Sequence, residues 1–277
     1  YYLISGTLIG LSILTKGPVG LILFSVPLVL FILLNRKEAQ PKVAGILSFI
    51  VSFLLIGGLW FFLLLVQGKE QVIYDFIDYQ IRLFQTKDAG HGGPFYYHFL
   101  VLLLGCFPAS FIALRRFSFK PKYSFEFLMA LTLLFTLLLF SVVQTKIIHY
   151  SSLCYFPITF LAASYIFDKL ENKSSLKASA KTVLIGLFLL GVIFILVGWA
   201  LNHPEFILKN FKTDSFTRDS LGKDLSTSLL FYLPGIFVLL AVLLLYFNYL
   251  KEQRALVLLG GGLTVAVGIL TLIPLVQ

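Results

Sequence analysis

Between residues 182 and 200 the chain reads "TVLIGLFLLGVIFILVGWA", an apolar run without one ionisable side chain. A helix needs about 20 such residues to cross a bilayer. Similar runs, divided by short polar links, recur near 1–14, 18–34, 43–66, 95–114, 124–143, 147–167, 182–200, 228–249 and 255–276. Backbone groups in lipid have no water to bond to, so a spanning segment is either a helix or a strand of a closed barrel. The runs are continuous rather than alternating, which excludes the barrel. The expectation is an all-α, polytopic helical bundle of about nine transmembrane helices, forming one membrane domain over 1–277. Charged residues make up 13% of the chain, against roughly 25% in soluble domains.

Alternating loops should show which side faces the cytoplasm, because cytoplasmic loops collect lysine and arginine. One set holds thirteen cations in compact loops, including Arg36, Lys37, Lys42, Arg115, Arg116, Lys173 and Lys177. The other set spreads nine cations over longer loops. The compact set is therefore read as cytoplasmic, which places the C-terminus outside a plasma (inner) membrane. The outer side then carries two larger loops, 67–94 and 201–227. This bias and the attraction of anionic lipid headgroups account for a net charge of +9 without any nucleic-acid partner. Cys106 and Cys154 sit singly in apolar runs and read as small packing residues. The chain opens inside an apolar run, "YYLISGTLIG", with no basic residue before it. That opening reads as a fragment lacking its N-terminal spans, not as a signal peptide.

Lys16, Arg82 and Lys146 are outer-side cations that the orientation rule leaves without a purpose. In "LTKGPVG", Gly17 and Pro18 turn the chain into a helix whose free N–H groups, beside Lys16, form an anion site. The alternative is a lysine snorkelling to the interface. "KEQVIYDFIDYQIRLFQTK" reads as an amphipathic helix in the outer interface, near 69–87. Ile73, Ile77, Ile81 and Phe84 share one face of it, and Asp75, Asp78 and Arg82 the other. Arg82 either serves a ligand or pairs with Asp78 four residues back. Next comes "HGGPFYYH", where Gly92-Gly93-Pro94 opens another helix. His91 there is a candidate phosphate or metal ligand, or a solvated histidine, and Tyr96 and Tyr97 also fit an interfacial aromatic belt. In "QTKIIHYSSLCYFP", Lys146, His149 and Tyr150 cluster between two spans. Three cations beside helix breaks suggest one shared anionic ligand at the membrane surface.

Ionisable residues are scarce between the interfaces, with Glu126 near the start of its span. Transporters carry such groups near the midplane. An enzyme acting on a lipid-borne headgroup fits better than the alternative, a flippase or transporter of lipid-linked substrates.

Together, "GLSILTKGPVG", "YQIRLFQTKDAGHGGPFYYHFLVLLLGCFP" and "QTKIIHYSSLCYFP" resemble three outer-face segments of bacterial GT-C glycosyltransferases. The nearest resemblance is to the group containing the lipid A aminoarabinose transferase and protein O-mannosyltransferase relatives. It implies a membrane glycosyltransferase that moves a hexose or pentose from a polyprenyl-phosphate donor. The acceptor would be a lipid, glycan or protein hydroxyl at the outer face. It further implies that Lys16, Arg82 and Lys146 bind the lipid phosphate with Tyr150 as a hydrogen-bonding helper. His91 and His149 stand nearby in this reading, and Tyr96 and Tyr97 line the sugar or lipid path. The family's catalytic acid lies upstream of the matching region, so the fragment is expected to be inactive alone and no catalytic residue is assigned. No cofactor is expected. Some relatives hold a divalent metal through a histidine in the amphipathic segment, where this chain has Ile77 and Asp78, leaving His91 as the candidate substitute.

Overall fold

The computed structural model describes residues 1–86, 92–118, 120, 123–210 and 228–276. Every named element is helical, and among the described residues five stretches are long and apolar enough to cross a membrane: 125–142, 148–171, 177–202, 229–250 and 254–271. A sixth candidate is the pair α3 (Val43–Gly57) and α4 (Leu59–Val66), bent by 49° at Gly58. The first two runs form shorter apolar helices, α1 (Tyr2–Lys16) and α2 (Val19–Leu34). The run expected at 95–114 is divided. It forms α6 (Tyr97–Gly105) and α7 (Ala109–Ala113), with Pro108 between them. Proline has no N–H to continue the ladder and its ring crowds the preceding turn.

Two compact units are present. One comprises 1–106 and 113–164; the other comprises 107–112 and 165–277. The boundary at 164 falls inside α9 (Tyr155–Glu171).

The first unit is built on close approach of α1 and α3. In lipid the apolar effect does not hold helices together, so small residues that admit backbone contact do much of it. "GTLIG" places Gly6 and Gly10 four residues apart on one face of α1. A Cβ on Gly10 would stand 2.8 Å from the Gly57 nitrogen, and one on Gly57 would stand 3.0 Å from the Gly10 Cα. A Cβ on Gly6 would collide with Ser52 Oγ and the Phe49 carbonyl. α2 packs along α8 (Phe125–Val142), its Phe31 ring 5.6 Å from Tyr123 and 6.2 Å from Phe127. Ser124 caps α8, accepting from the Phe127 N–H. Glu126 Oε1 accepts from Arg116 Nη2 at 2.6 Å and from the Ser164 hydroxyl, tying this half-buried carboxylate to both.

The second unit centres on α10 (Lys177–Asn202), packed against α12 (Leu233–Leu250) and α13 (Arg254–Val276). A Cβ on Gly235 would lie 2.7 Å from the Ile195 nitrogen, again a backbone-to-backbone approach. Asn202 ties the end of α10 to the approach to α12: it accepts from the Ser228 N–H at 2.8 Å and donates to the Ser228 carbonyl at 3.2 Å. A short helix, α11 (Pro204–Asn210), follows His203.

Gly6→Val should wedge α1 from α3 and destabilise the first unit by about 1–3 kcal/mol. Gly105→Ala, where a Cβ meets nothing within 4 Å, should cost nothing. Thermal unfolding of the two detergent-solubilised variants measures the difference.

Candidate functional site

A cavity of about 920 Å³ lies in the first unit. Its walls come from α1, the Gly17-Pro18 turn, α2, α8, the 3-10 turn Ile148–Cys154 and α5 (Glu70–Gln85). Phe125, Leu128, Thr132, Leu139 and Phe140 line it along the whole of α8. That helix has 18 residues, so the cavity runs about 27 Å at 1.5 Å per residue. The long part is mainly apolar: Ile9, Leu23, Phe24, Leu28 and Leu153 complete it, with the hydroxyl residues Ser12, Thr132 and Ser152 among them. Polar groups gather at the end where α8 finishes, namely Lys16, Gln80, His149 and Tyr150.

That end is assembled by backbone contacts around α5. Gly17 has φ 73°, a left-handed conformation open to glycine, and a Cβ there would meet Phe76 at 3.1 Å and Gln80 at 3.2 Å. At its other end α5 is tied to the segment after α8. The Gln144 N–H donates to the Phe84 carbonyl at 3.1 Å, and the Thr145 hydroxyl donates to the Thr86 carbonyl at 2.7 Å. Gly92 forms an isolated antiparallel bridge with Thr145. The three segments singled out in the sequence therefore converge on one end of one cavity.

Their side chains divide. Lys16, exposed, and His149 and Tyr150 line the cavity. Lys146 does not. It is 5% exposed, and its ammonium donates to the carbonyls of Phe140 at 2.9 Å, Ser141 at 2.6 Å and Val143 at 2.5 Å. Burial pulls the Lys146 pKa below the usual lysine value. Three carbonyl acceptors at the negative end of α8 oppose this and favour the charged form. Arg82 is exposed and does not line the cavity, but its guanidinium carbon stands 5.2 Å from the centre of the ring of Tyr79, which does. Tyr96 is exposed and Tyr97 packs edge-on to His98 at 5.0 Å; neither lines the cavity. His91 lies outside the described residues. Among the described residues, no three His, Cys, Asp or Glu side chains gather to hold a metal.

The face that α5 turns inward differs from its most apolar stripe. Phe76, Tyr79, Gln80, Leu83 and Phe84 line the cavity, whereas Ile77 and Ile81 are exposed and do not. Gln80 therefore escaped the sequence reading. Its signal was the spacing Phe76-Gln80-Leu83, one helical stripe beside the expected one. His98 was also missed. It is fully buried, with Nδ1 3.1 Å from Ser151 Oγ, and so pins the 3-10 turn that carries His149 and Tyr150.

No family model matches the chain. Among curated proteins it is similar to undecaprenyl phosphate-alpha-4-amino-4-deoxy-L-arabinose arabinosyl transferases. Identity to the one from Aeromonas hydrophila is 29% over 191 residues, covering 68% of this chain and 35% of the relative. For Aeromonas salmonicida it is 29% over 210 residues, covering 74% and 38%. For Erwinia tasmaniensis it is 28% over 216 residues, covering 76% and 39%. The chain thus spans a little over a third of the length of these relatives. Among solved structures it is similar to ArnT from Cupriavidus metallidurans bound to undecaprenyl phosphate. The TM-score is 0.61 at 21% identity, covering 98% of this chain and 47% of that one. The fold is ArnT-like, and the resemblance to aminoarabinose transferases drawn from three short segments is found in the sequence and fold comparisons.

Lys146→Met should orphan the carbonyls at the end of α8 and lower stability by at least about 2 kcal/mol, the scale of a lost charge-assisted hydrogen bond. Lys16→Met should leave stability unchanged. Denaturation of both variants in detergent separates an internally bonded lysine from one that faces the cavity.

Proposed function

We propose that the protein to which this chain belongs is a membrane glycosyltransferase that uses a polyprenyl-phosphate sugar, and that the cavity of the first unit receives the prenyl phosphate. The observation that carries this reading is the shape of the cavity: an apolar slot as long as a membrane span, ending in Lys16, Gln80, His149 and Tyr150. A long hydrocarbon chain with a phosphate at one end has the same pattern. The curated relatives, named as arabinosyl transferases for undecaprenyl phosphate-alpha-4-amino-4-deoxy-L-arabinose, support a donor of that class. So does the fold shared with ArnT, whose crystal structure holds undecaprenyl phosphate. The acceptor is a hydroxyl of a lipid, glycan or protein.

In this reading the acceptor oxygen attacks the anomeric carbon, the bond from that carbon to the phosphate oxygen breaks, and polyprenyl phosphate departs with the electron pair. Negative charge grows on the phosphate in the transition state, so cations fixed beside it accelerate departure. Lys16 acts from the cavity rim. Tyr150 donates a hydrogen bond, with His149 beside it. Arg82 acts from the exposed surface of α5 beside the cavity-lining Tyr79, and Tyr96 and Tyr97 border the sugar path. Lys146 adds its charge from behind the wall formed by Phe140 and Val143, and reaches the phosphate directly only after releasing its carbonyls. The general base that takes the acceptor proton is not assigned to any residue of this chain.

The excess of lysine and arginine in the compact loops, which the orientation rule assigns to the cytoplasm, supports an active face on the opposite side. The exposed stripe of Ile77 and Ile81 supports α5 lying in the outer interface. A lipid-linked substrate flippase is the second reading, and it needs polar groups along its path. Among the described residues, the cavity carries its only lysine or carboxylate, Lys16, at one end, which favours the transferase.

Lys16→Gln and Arg82→Ala in the full-length protein should lower transfer at least tenfold while insertion and folding persist; unchanged rates would reject the phosphate role. Leu128→Trp should obstruct the slot. Binding of undecaprenyl phosphate should then fall, while a short-chain prenyl phosphate still binds. Equal loss of both would place the lipid elsewhere.

A further inference from the structure

A second cavity, of about 790 Å³, opens in the other unit between the first turns of α10 and the last turns of α12. Its mouth is lined by Lys177, Lys181, Tyr246 and Tyr249, and its depth by Ile185, Phe188 and Val242. Both lysines are exposed, and no ion pair joins either to a carboxylate among the described residues. No acidic residue lines the groove among the described residues. Ser175, also at the mouth, accepts from Arg254 Nη1 at 3.1 Å, but that arginine is already paired with Glu252 at 3.0 Å, so the free charge at the rim is that of the two lysines. The two tyrosine rings stand 6.3 Å apart and nearly parallel, an apolar body with a polar tip suited to the headgroup level.

We propose that this groove binds an anionic phospholipid, the phosphate between Lys177 and Lys181 and one acyl chain along Ile185, Phe188 and Val242. The charge complementarity is direct, since two unneutralised cations stand over apolar surface at the end of a transmembrane helix. Depth selects the lipid. Lining residues on α10 run from Lys177 to Phe188, about 16 Å at 1.5 Å per residue. That is one leaflet of a hydrocarbon core about 30 Å thick, against the full-span slot of the first unit. A phospholipid fits one leaflet, whereas an undecaprenyl chain is too long for it. With the orientation proposed above, the leaflet is the cytoplasmic one. Lipid binding in the groove needs only that α10 and α12 cross a bilayer, so it stands or falls separately from the transferase reading.

The test uses full-length protein, purified with added phosphatidylglycerol or phosphatidylcholine and weighed intact by native mass spectrometry. Wild type should retain phosphatidylglycerol over phosphatidylcholine. Lys177→Gln with Lys181→Gln should bind it about thirty-fold more weakly, at the usual strength of a membrane-surface lysine. Ile185→Trp keeps both charges and fills the groove, and it should reduce retention as well. Lys37→Gln, a lysine of the first unit, should not. Retention equal to wild type in both groove variants would overturn the proposal. So would an equal loss in Lys37→Gln, which would mean diffuse surface charge, or displacement of the bound lipid by undecaprenyl phosphate.

Discussion

The last carbonyls of a helix have no partners within the helix, and where α8 ends in a crowded, water-poor place they must find some. Lys146 supplies them, folding back to bond three carbonyls at once. Much of the first unit follows from that cap. With its ammonium beneath the turn, the Gln144 N–H and the Thr145 hydroxyl are free to bond the end of α5 at the Phe84 and Thr86 carbonyls. Gly93 fits against the lysine stem because it lacks a Cβ, which would stand 3.1 Å from Lys146 Cγ. The 3-10 turn that follows carries His149 and Tyr150 to the polar end of the cavity.

Two lysines that look alike in the sequence thus have different positions. Lys16 is the last residue of α1 and precedes a glycine turn, which leaves its side chain at the cavity rim. Lys146 follows a helix at a distance its own side chain can span, and its charge is used inside the protein. A lysine is long and flexible enough for either outcome, and the local backbone decides between them.

The cavities also divide along physical lines. The slot of the first unit is lined along the full height of α8, whereas the groove of the second reaches only partway down α10. Both pair apolar walls with cations at one end, the arrangement that amphiphiles with anionic heads require. Close helix approach in both units depends on glycine, at Gly6, Gly10 and Gly57 in one and at Gly235 in the other.

The all-helical membrane character was legible in the sequence, because continuous apolar runs without charge permit little else. So was the grouping of the TKGP, QTK and GGP segments, since each marks a helix break with a polar residue beside it. The sequence reading brought them to one shared ligand, but not to the contacts that join them: these are hydrogen bonds from the Gln144 N–H and the Thr145 hydroxyl to the Phe84 and Thr86 carbonyls, and a carbonyl acceptor leaves no mark in residue type. The inward face of α5 was also decided by packing, since Phe76 and Gln80 meet the Gly17 turn while the more apolar Ile77 and Ile81 stay outside. Sequence determined which residues carry charge and where helices break. Only tertiary structure decided where each charge points, because a long side chain goes to whichever unsatisfied group the folded backbone brings within its reach.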